Sequence, residues 1–241
     1  MQPMRSFIIH MPDSTARQAN AERLCDELPS GALFEAVNGR DPAQISAVKC
    51  HNGDLYSPNY PFALRPAEIG VFQSHRRIWQ KMVDEKIDLA LITEDDLQID
   101  PVLFPKALEM LERHATIDQY IRLPVKQREA PGKVLDNKDG LQLILPRVIG
   151  LQCICQVVGR RAAVRLLEAT QEIDRPVDTF LQMHWITQQP VHALLGTGNL
   201  EVAAEIGGTT IQQKTPTKGK LARELKRAFY RARVFSRPQK G

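Results

Sequence analysis

Three consecutive carboxylates, Glu94, Asp95 and Asp96, follow directly on the apolar run Asp88-Leu-Ala-Leu-Ile-Thr93. Like charges this close repel, and burying even one of them unpaired costs several kcal/mol, so something must compensate them. In an extended segment side chains alternate, which sets Glu94 and Asp96 on one side and Asp95 on the other. Two carboxylates on one side of a loop suit a hard divalent cation, Mg²⁺ or Mn²⁺, that keeps its other positions for waters and phosphate oxygens. The plainer reading is that the acids cap the next helix or solvate a loop, although Asp100, directly before Pro101, already occupies a capping position. Ser74-His75-Arg76-Arg77 forms a second cluster. There the His could contact a diphosphate and an Arg neutralise it, or the segment is a solvated basic helix face. Asp178, in Arg175-Pro-Val-Asp-Thr-Phe-Leu181, reads on its own as a capping or helix-dipole acid.

These residues need elements to hold them. Ser6–Met11 reads as a short strand, and Asp13 or Ser14 can cap a helix running to Leu28. Ala32–Val37 is a second strand candidate. A polar loop from Cys50 to Pro61 leads to a helix with Pro66 and Glu68 in its first turn, where both are favoured. Ile69, Phe72, Ile78, Trp79, Met82 and Val83 give that helix an apolar face. Asp88–Thr93 is too short for a helix and continuously apolar, as a central parallel strand should be. Another helix starts at Asp100-Pro101. Further strands are expected at Tyr120–Val125, Leu141–Leu145 and Leu151–Val158, and helices at Arg160–Thr170 and Pro176–Trp185. The alternation predicts an α/β fold with an open, largely parallel sheet flanked by helices and its site at the strand ends.

The 241 residues, 43% apolar and 25% charged, describe a globular chain long enough for a substantial core and exclude disordered, collagenous and disulfide-scaffold classes. No apolar run approaches the ~18 residues needed to span a bilayer, and no apolar leader core follows Met1, so a cytoplasmic chain is expected. Cys25, Cys50, Cys153 and Cys155 have neither disulfide nor zinc spacing and read as reduced, mostly buried thiols. His10, His51, His114, His184 and His192 share no metal-ligand spacing and read as surface or internally satisfied residues. No phosphate-binding glycine loop or nucleophile elbow is present. Of the net charge of +4, residues 214–241 alone carry +9, from ten basic residues against Glu224, leaving a mildly acidic body. A division into residues 1–213, the body that carries the candidate site, and 214–241, a basic amphipathic helical tail, follows. In the tail Leu221, Leu225, Ala228, Phe229, Ala232 and Phe235 make one stripe among Lys and Arg, which fits the inner face of an anionic membrane. An acidic body poor in aromatics does not fit nucleic acid.

Together these residues resemble glycosyltransferase family 25, which includes bacterial lipooligosaccharide galactosyltransferases and collagen galactosyltransferases. The strongest stretch is Ala67-Glu-Ile-Gly-Val-Phe-Gln-Ser-His-Arg-Arg-Ile-Trp79, followed by Leu-Ala-Leu-Ile-Thr-Glu-Asp-Asp96. Ile8-Ile9 with Ser14 and Arg17, Ala36-Val-Asn-Gly39, Gly159-Arg-Arg-Ala-Ala163 with Leu166 and Leu167, and Pro176-Val-Asp178 with Phe180 and Leu181 add to it, so the likeness covers most of residues 6–185. The family's usual Asn-Leu-Asp-Arg after the first strand reads His10-Met-Pro-Asp13 here, the Cys after Glu-Ile-Gly is Val71, and Gln73 precedes Ser-His. The resemblance implies a GT-A-like, Rossmann-type fold and a UDP-sugar donor. It further implies Mn²⁺ or Mg²⁺ at the acidic motif, and inverting transfer of a hexose, galactose first, to a saccharide or lipid-linked oligosaccharide such as the LPS core. Carried over by position, Glu94 and Asp96 handle the ribose and the metal with Asp95 beside them in the donor site. Ser74 and His75 line that site, and Asp178 is the candidate base near the acceptor. The competing reading is a catalytically silent protein that binds a nucleotide sugar or anionic lipid on a degenerate transferase scaffold.

Overall fold

A computed structural model describes residues 3–208 and 220–240. In chain order the elements are β1 (Arg5–His10), α1 (Thr15–Glu27), β2 (Gly31–Glu35), α2 (Pro42–Ile45), β3 (Lys49–Cys50), α3 (Pro66–Asp84) and β4 (Leu89–Glu94). They continue with β5 (Leu97–Gln98), α4 (Leu103–His114), β6 (Tyr120–Arg122), β7 (Pro131–Lys138), β8 (Leu141–Pro146), β9 (Cys155–Gly159) and α5 (Arg160–Ala169). The last are β10 (Glu172–Ile173), α6 (Val177–Leu181), α7 (His184–Thr187), β11 (Val191–Leu195), β12 (Leu200–Glu201) and α8 (Lys220–Phe235). The expected boundary between residues 213 and 214 lies outside the described residues.

Eight strands form one sheet in the order β2-β1-β4-β9-β6-β11-β8-β7, flanked by helices. The sheet is mixed. β1 runs parallel to β2 and β4, and β11 to β6, whereas β9 lies antiparallel between β4 and β6, and β8 is antiparallel to β7 and β11. The expectation of a largely parallel sheet therefore holds for β2-β1-β4 and for the β6-β11 pair, and fails where β9 and β8 enter antiparallel. An apolar run reports burial on both faces but not strand direction, so nothing in Cys155–Gly159 announced its reversal. The helix expected over Pro176–Trp185 is two short ones, α6 and α7, separated at Gln182–Met183.

The pleat sorts the core into two layers. Phe7, Ile9, Ala90 and Ile92 pack with Phe72, Ile78, Trp79 and Met82 of α3 and Ala162, Ala163 and Leu166 of α5. Ile8, Leu89 and Leu91 face the other way, onto Ala21 and Leu24 of α1 and Phe104, Ala107, Met110 and Leu111 of α4. Each such large side chain, fully buried, stabilises by ~1.5–3 kcal/mol, and four of them seat α3 firmly enough to orient what lies on its other faces. Asp100 does cap α4, its Oδ1 accepting from the N–H groups of Val102 (2.8 Å) and Leu103 (2.9 Å).

The glycines of Glu68-Ile-Gly70 and Val37-Asn-Gly39 meet. A Cβ on Gly70 would stand 2.7 Å from the carbonyl oxygen of Val37 and 2.9 Å from the nitrogen of Gly39. A Cβ on Gly39 would collide with the backbone of Pro66 and Ala67. Backbone touches backbone here, which brings Val37 N–H within 2.8 Å of Ser74 Oγ, while that hydroxyl donates to Gly70 O (2.9 Å). Gly70→Ala is therefore expected to destabilise the protein by ~1–3 kcal/mol, because neither backbone can yield cheaply. Urea unfolding checks this, and an unchanged midpoint would contradict the close approach.

Candidate active site

The parallel register of β1 and β4 sets Ile9 beside Glu94, so His10 and Asp95 leave the sheet together at its carboxyl edge. His10 Nδ1 donates to Asp95 Oδ2 at 2.8 Å, and both residues are buried. Arg17, on the inner face of α1, donates from Nη1 to Asp95 Oδ1 (2.6 Å) and pairs through Nη2 with Asp96 Oδ2 (3.2 Å). The same Nη2 reaches the carbonyl of Gly208 at 2.7 Å. One turn later Asn20 Nδ2 donates to the carbonyls of Asp95 (2.7 Å) and Leu97 (3.0 Å). A single helix face thus holds both the charges and the backbone of the acidic turn.

The compensation is incomplete. Asp96 Oδ1 is buried without a hydrogen-bond partner among the described residues. Burial, with Asp96 and Asp95 nearby, pushes the Glu94 carboxyl well above the usual range despite Arg17, and Asp178 adds to it. Asp96 is raised chiefly by burial, with Arg17 opposing and Asp95 and Glu201 contributing. Among the described residues no group of three or more His, Cys, Asp or Glu is gathered as a metal site. Glu94 and Asp96 nevertheless fit a divalent cation, since an oxygen without a donor and two carboxyls held toward their neutral form are what an added positive charge would relieve.

Two cavities open at this edge. The first, of ≈ 270 Å³, is lined by Ile9, Val37, Ala67 and Val71 with the polar Asp13, Asn38 and Arg40, and by Ser74 and Asp95. The second, of ≈ 480 Å³, is bordered by Glu68, Asp96, Gln152, Asp178, Glu201 and Arg227. Arg17, Val71 and Glu94 line both. Asp95 lines the first cavity, Asp96 the second and Glu94 both; Asp95 and Asp96 form the turn between β4 and β5, so the extended alternation expected of the triplet stops at Glu94.

The second cavity is assembled from distant segments. The β5–β12 pairing opposes Glu201 to Leu97 and draws Glu201 toward the acids. Asp178, near the start of α6, accepts from Gln152 N–H (3.1 Å) at one oxygen and from Thr179 N–H (2.6 Å) at the other. Gln152 has a φ of 78°, a conformation disfavoured for any residue with a Cβ. It is held there by buried Arg122, whose Nε donates to its carbonyl at 3.2 Å and whose guanidinium pairs with Glu129. Gln152 Nε2 also donates to Glu201 (3.2 Å), bridging two of the cavity's acids.

The expected site residues divide accordingly. Glu94, Asp95, Asp96, Asp178 and Ser74 come together around the two cavities. His75 does not line either of them. The helix turn that aims Ser74 at Val37 aims His75 into the layer between α3 and β9, where Nδ1 lies 3.4 Å from Gln156 Nε2 and the ring rests by Trp79. Arg76 donates to Thr170 (3.2 Å) and Arg77 is exposed, so the cation at the acids is Arg17 and neither of these. Arg17, His10, Gln152 and Glu201 had no functional reading in the sequence, and Arg227 was read only as one of the basic residues of the tail. Only the position of Arg17, facing inward on the first helix after a strand, signalled a buried charge needing a partner.

Glycosyltransferase family 25 (LPS biosynthesis protein) is the family whose model matches, over residues 4–181, a span that contains every lining residue of both cavities except Glu201 and Arg227. The chain belongs to glycosyltransferase family 25. It is 29% identical over 192 residues to a glycosyltransferase 25 family member of Drosophila melanogaster, covering 74% of this chain and 30% of that protein. It is also similar to procollagen galactosyltransferase 2 of Homo sapiens, 28% identical over 165 residues, with 62% of this chain and 25% of that one covered. The mouse procollagen galactosyltransferase 2 is 31% identical over the same shares. The chain thus spans about 30% of the length of the first of these relatives.

Two outcomes follow. Arg17→Leu leaves Asp95 and Asp96 buried without their cation and should cost ~3–5 kcal/mol in chemical denaturation, with Asp95→Asn in the same chain recovering part of it. A loss below ~1 kcal/mol would show that the acids do not depend on Arg17. For His75, burial lowers the pKa from 6.5 to about 4. The unfolded chain therefore takes up the proton first as pH falls. Stability from this group is full above 6.5 and declines between there and about 4, by ~3 kcal/mol in total. Unfolding midpoints of His75→Gln measured across that window should lack this slope.

Proposed function

We propose that this chain transfers a hexose from a UDP-sugar to a saccharide acceptor with inversion, the donor nucleotide in the first cavity and the acceptor in the second. The observation that carries this reading is the shared wall: two cavities of different chemistry meet at Arg17, Val71 and Glu94, which is where a group passing between two substrates must be. The galactosyltransferase names of the relatives favour galactose, and the family's description favours an LPS-type, lipid-linked acceptor.

In this reading the apolar wall of Ile9, Val37, Ala67 and Val71 receives the base, and Asn38, Asp13 and Arg40 are the polar groups within reach of the nucleoside. Met11 and Asp13, where the family's loop differs, belong to this wall, so the altered loop tunes nucleotide selection. Ser74 acts by locking Val37 in place, with His75 supporting α3 from behind, and Asp95 acts by holding Arg17 and His10. Asp96, through the oxygen that has no partner, and Glu94 would hold Mn²⁺ or Mg²⁺, which when bound neutralises charge growing on the leaving diphosphate. Asp178 takes the proton of the attacking acceptor hydroxyl, while neighbouring acids favour the positive charge that develops on the sugar.

The test is donor turnover with a saccharide acceptor. Asp178→Asn should lower transfer by ~10²–10⁴ and leave donor affinity unchanged. Asp96→Asn should lose most activity and its response to Mn²⁺ while remaining folded. Full transfer by Asp178→Asn would remove it as the base, and donor binding without transfer or hydrolysis in the wild type would favour the silent binding protein.

A further inference from the structure

Helix α8 has two faces, and the body uses only one. Tyr230 and Val234 are buried against the body. Tyr230 Oη accepts from Arg175 Nη1 at 3.2 Å, and its ring meets that of Tyr60. Just beyond the helix, Arg237 donates to Ser57 O (2.6 Å) and stacks over Trp185. Gln239 is inserted at the sheet, donating to Pro146 O (3.0 Å) and Val191 O (2.9 Å) and accepting from Val191 N–H (2.9 Å). The helix is therefore fixed in orientation. Opposite, Leu221, Leu225, Phe229 and Phe235 are 76%, 63%, 66% and 67% exposed, with Ala228 and Ala232 exposed among them.

At about 100° per residue those six positions fall within an arc of about 120°. Lys226 and Arg233 border the arc on one side and Arg231 on the other, where Glu224 also lies but pairs with Arg227, and the helix carries six basic residues against that single acid. Large apolar side chains left in water between two cationic margins match the layering of an anionic bilayer, with acyl chains below and phosphates at the level of the basic groups. A second copy presenting the same face would bring two strongly positive helices together, which charge repulsion opposes. The helix has 16 residues, about 24 Å, and among the described residues no helix is long and apolar enough to cross a membrane. Its place is in the interface plane.

We propose that α8 docks this protein on an anionic lipid surface through its exposed stripe, while its opposite face stays packed on the body. Arg227, which projects from the side of α8 away from the stripe, lines the second cavity and stacks over Phe62 at 5.4 Å. The docking helix and part of the cavity wall are therefore one element. This does not rest on the glycosyl-transfer reading: lipid docking can be present or absent whichever reaction the cavities serve.

The experiment is co-sedimentation of the full chain with phosphatidylglycerol-containing vesicles and with pure phosphatidylcholine vesicles. Binding is expected to the anionic vesicles only and to be released in about 1 M salt, where the Debye length is about 3 Å. The double variant Leu225→Glu, Phe229→Glu should lower partitioning at least about tenfold, and Lys226→Glu with Arg231→Glu should do the same. Both pairs are exposed, so an unchanged thermal unfolding midpoint separates lost docking from lost fold. Failure to sediment with anionic vesicles, equal binding to neutral ones, or binding indifferent to both variants would overturn the proposal. So would self-association without lipid that the Leu225→Glu, Phe229→Glu variant abolishes, which would make the stripe an interface between copies.

Discussion

The pairing of Arg17 with Asp95 and Asp96 decides most of what surrounds it. A strand that ends inside the protein in three acids would expel its own end into water unless a fixed cation met it, and α1 supplies that cation from the one face it buries. The guanidinium's planar fork serves two carboxylates and the carbonyl of Gly208 at once. It neutralises fewer charges than it touches. Asp96 keeps an oxygen without a donor and Glu94 is pushed toward its neutral form, so the turn is stable enough to fold and still electrostatically unfinished. That residual demand for positive charge is what the proposed cation would meet.

A second constraint is steric. Gly39 and Gly70 allow α3 to lie directly on the loop after β2, and the Ser74 hydroxyl ties the two together. The wall of the first cavity is built from backbone placed by glycine, while its chemistry comes from side chains on β1, α1 and that loop. The second cavity is built differently, from a strained Gln152 clamped by Arg122 and from acids contributed by α6 and β12. One cavity is rigid by close packing and the other by hydrogen bonding, and Glu94 stands where they meet.

Much of this was legible in residue order. The run Leu89–Thr93 announced a buried strand, Pro66 and Glu68 a helix start and Asp100 a cap, whereas the turn at Asp95–Asp96 that divides the acids between the cavities was hidden by reading the triplet as extended. What was not legible depends on pairing across long sequence separations. β9 inserts antiparallel because of where its neighbours lie, β7 is a largely exposed polar edge strand with little apolar signal, and β11 is a short apolar run that nothing in its flanks marked. His75 stood next to Ser74 in a motif but points one helical step away into the core, a difference of angle that adjacency conceals. Gln152, Glu201 and Arg227 reach the site only through loop geometry, β5–β12 pairing and the docking of α8.

In the proposed reaction the acidic junction takes up one more cation when a nucleotide sugar arrives. Calorimetric titration of the wild-type chain with UDP-galactose, UDP-glucose and UDP-N-acetylglucosamine, in Mn²⁺ and in chelator, tests it most directly. Binding of at least one donor in Mn²⁺ that is lost in chelator is the predicted result. Equal donor affinity in both would contradict it, showing that Arg17 alone completes the charge of the site.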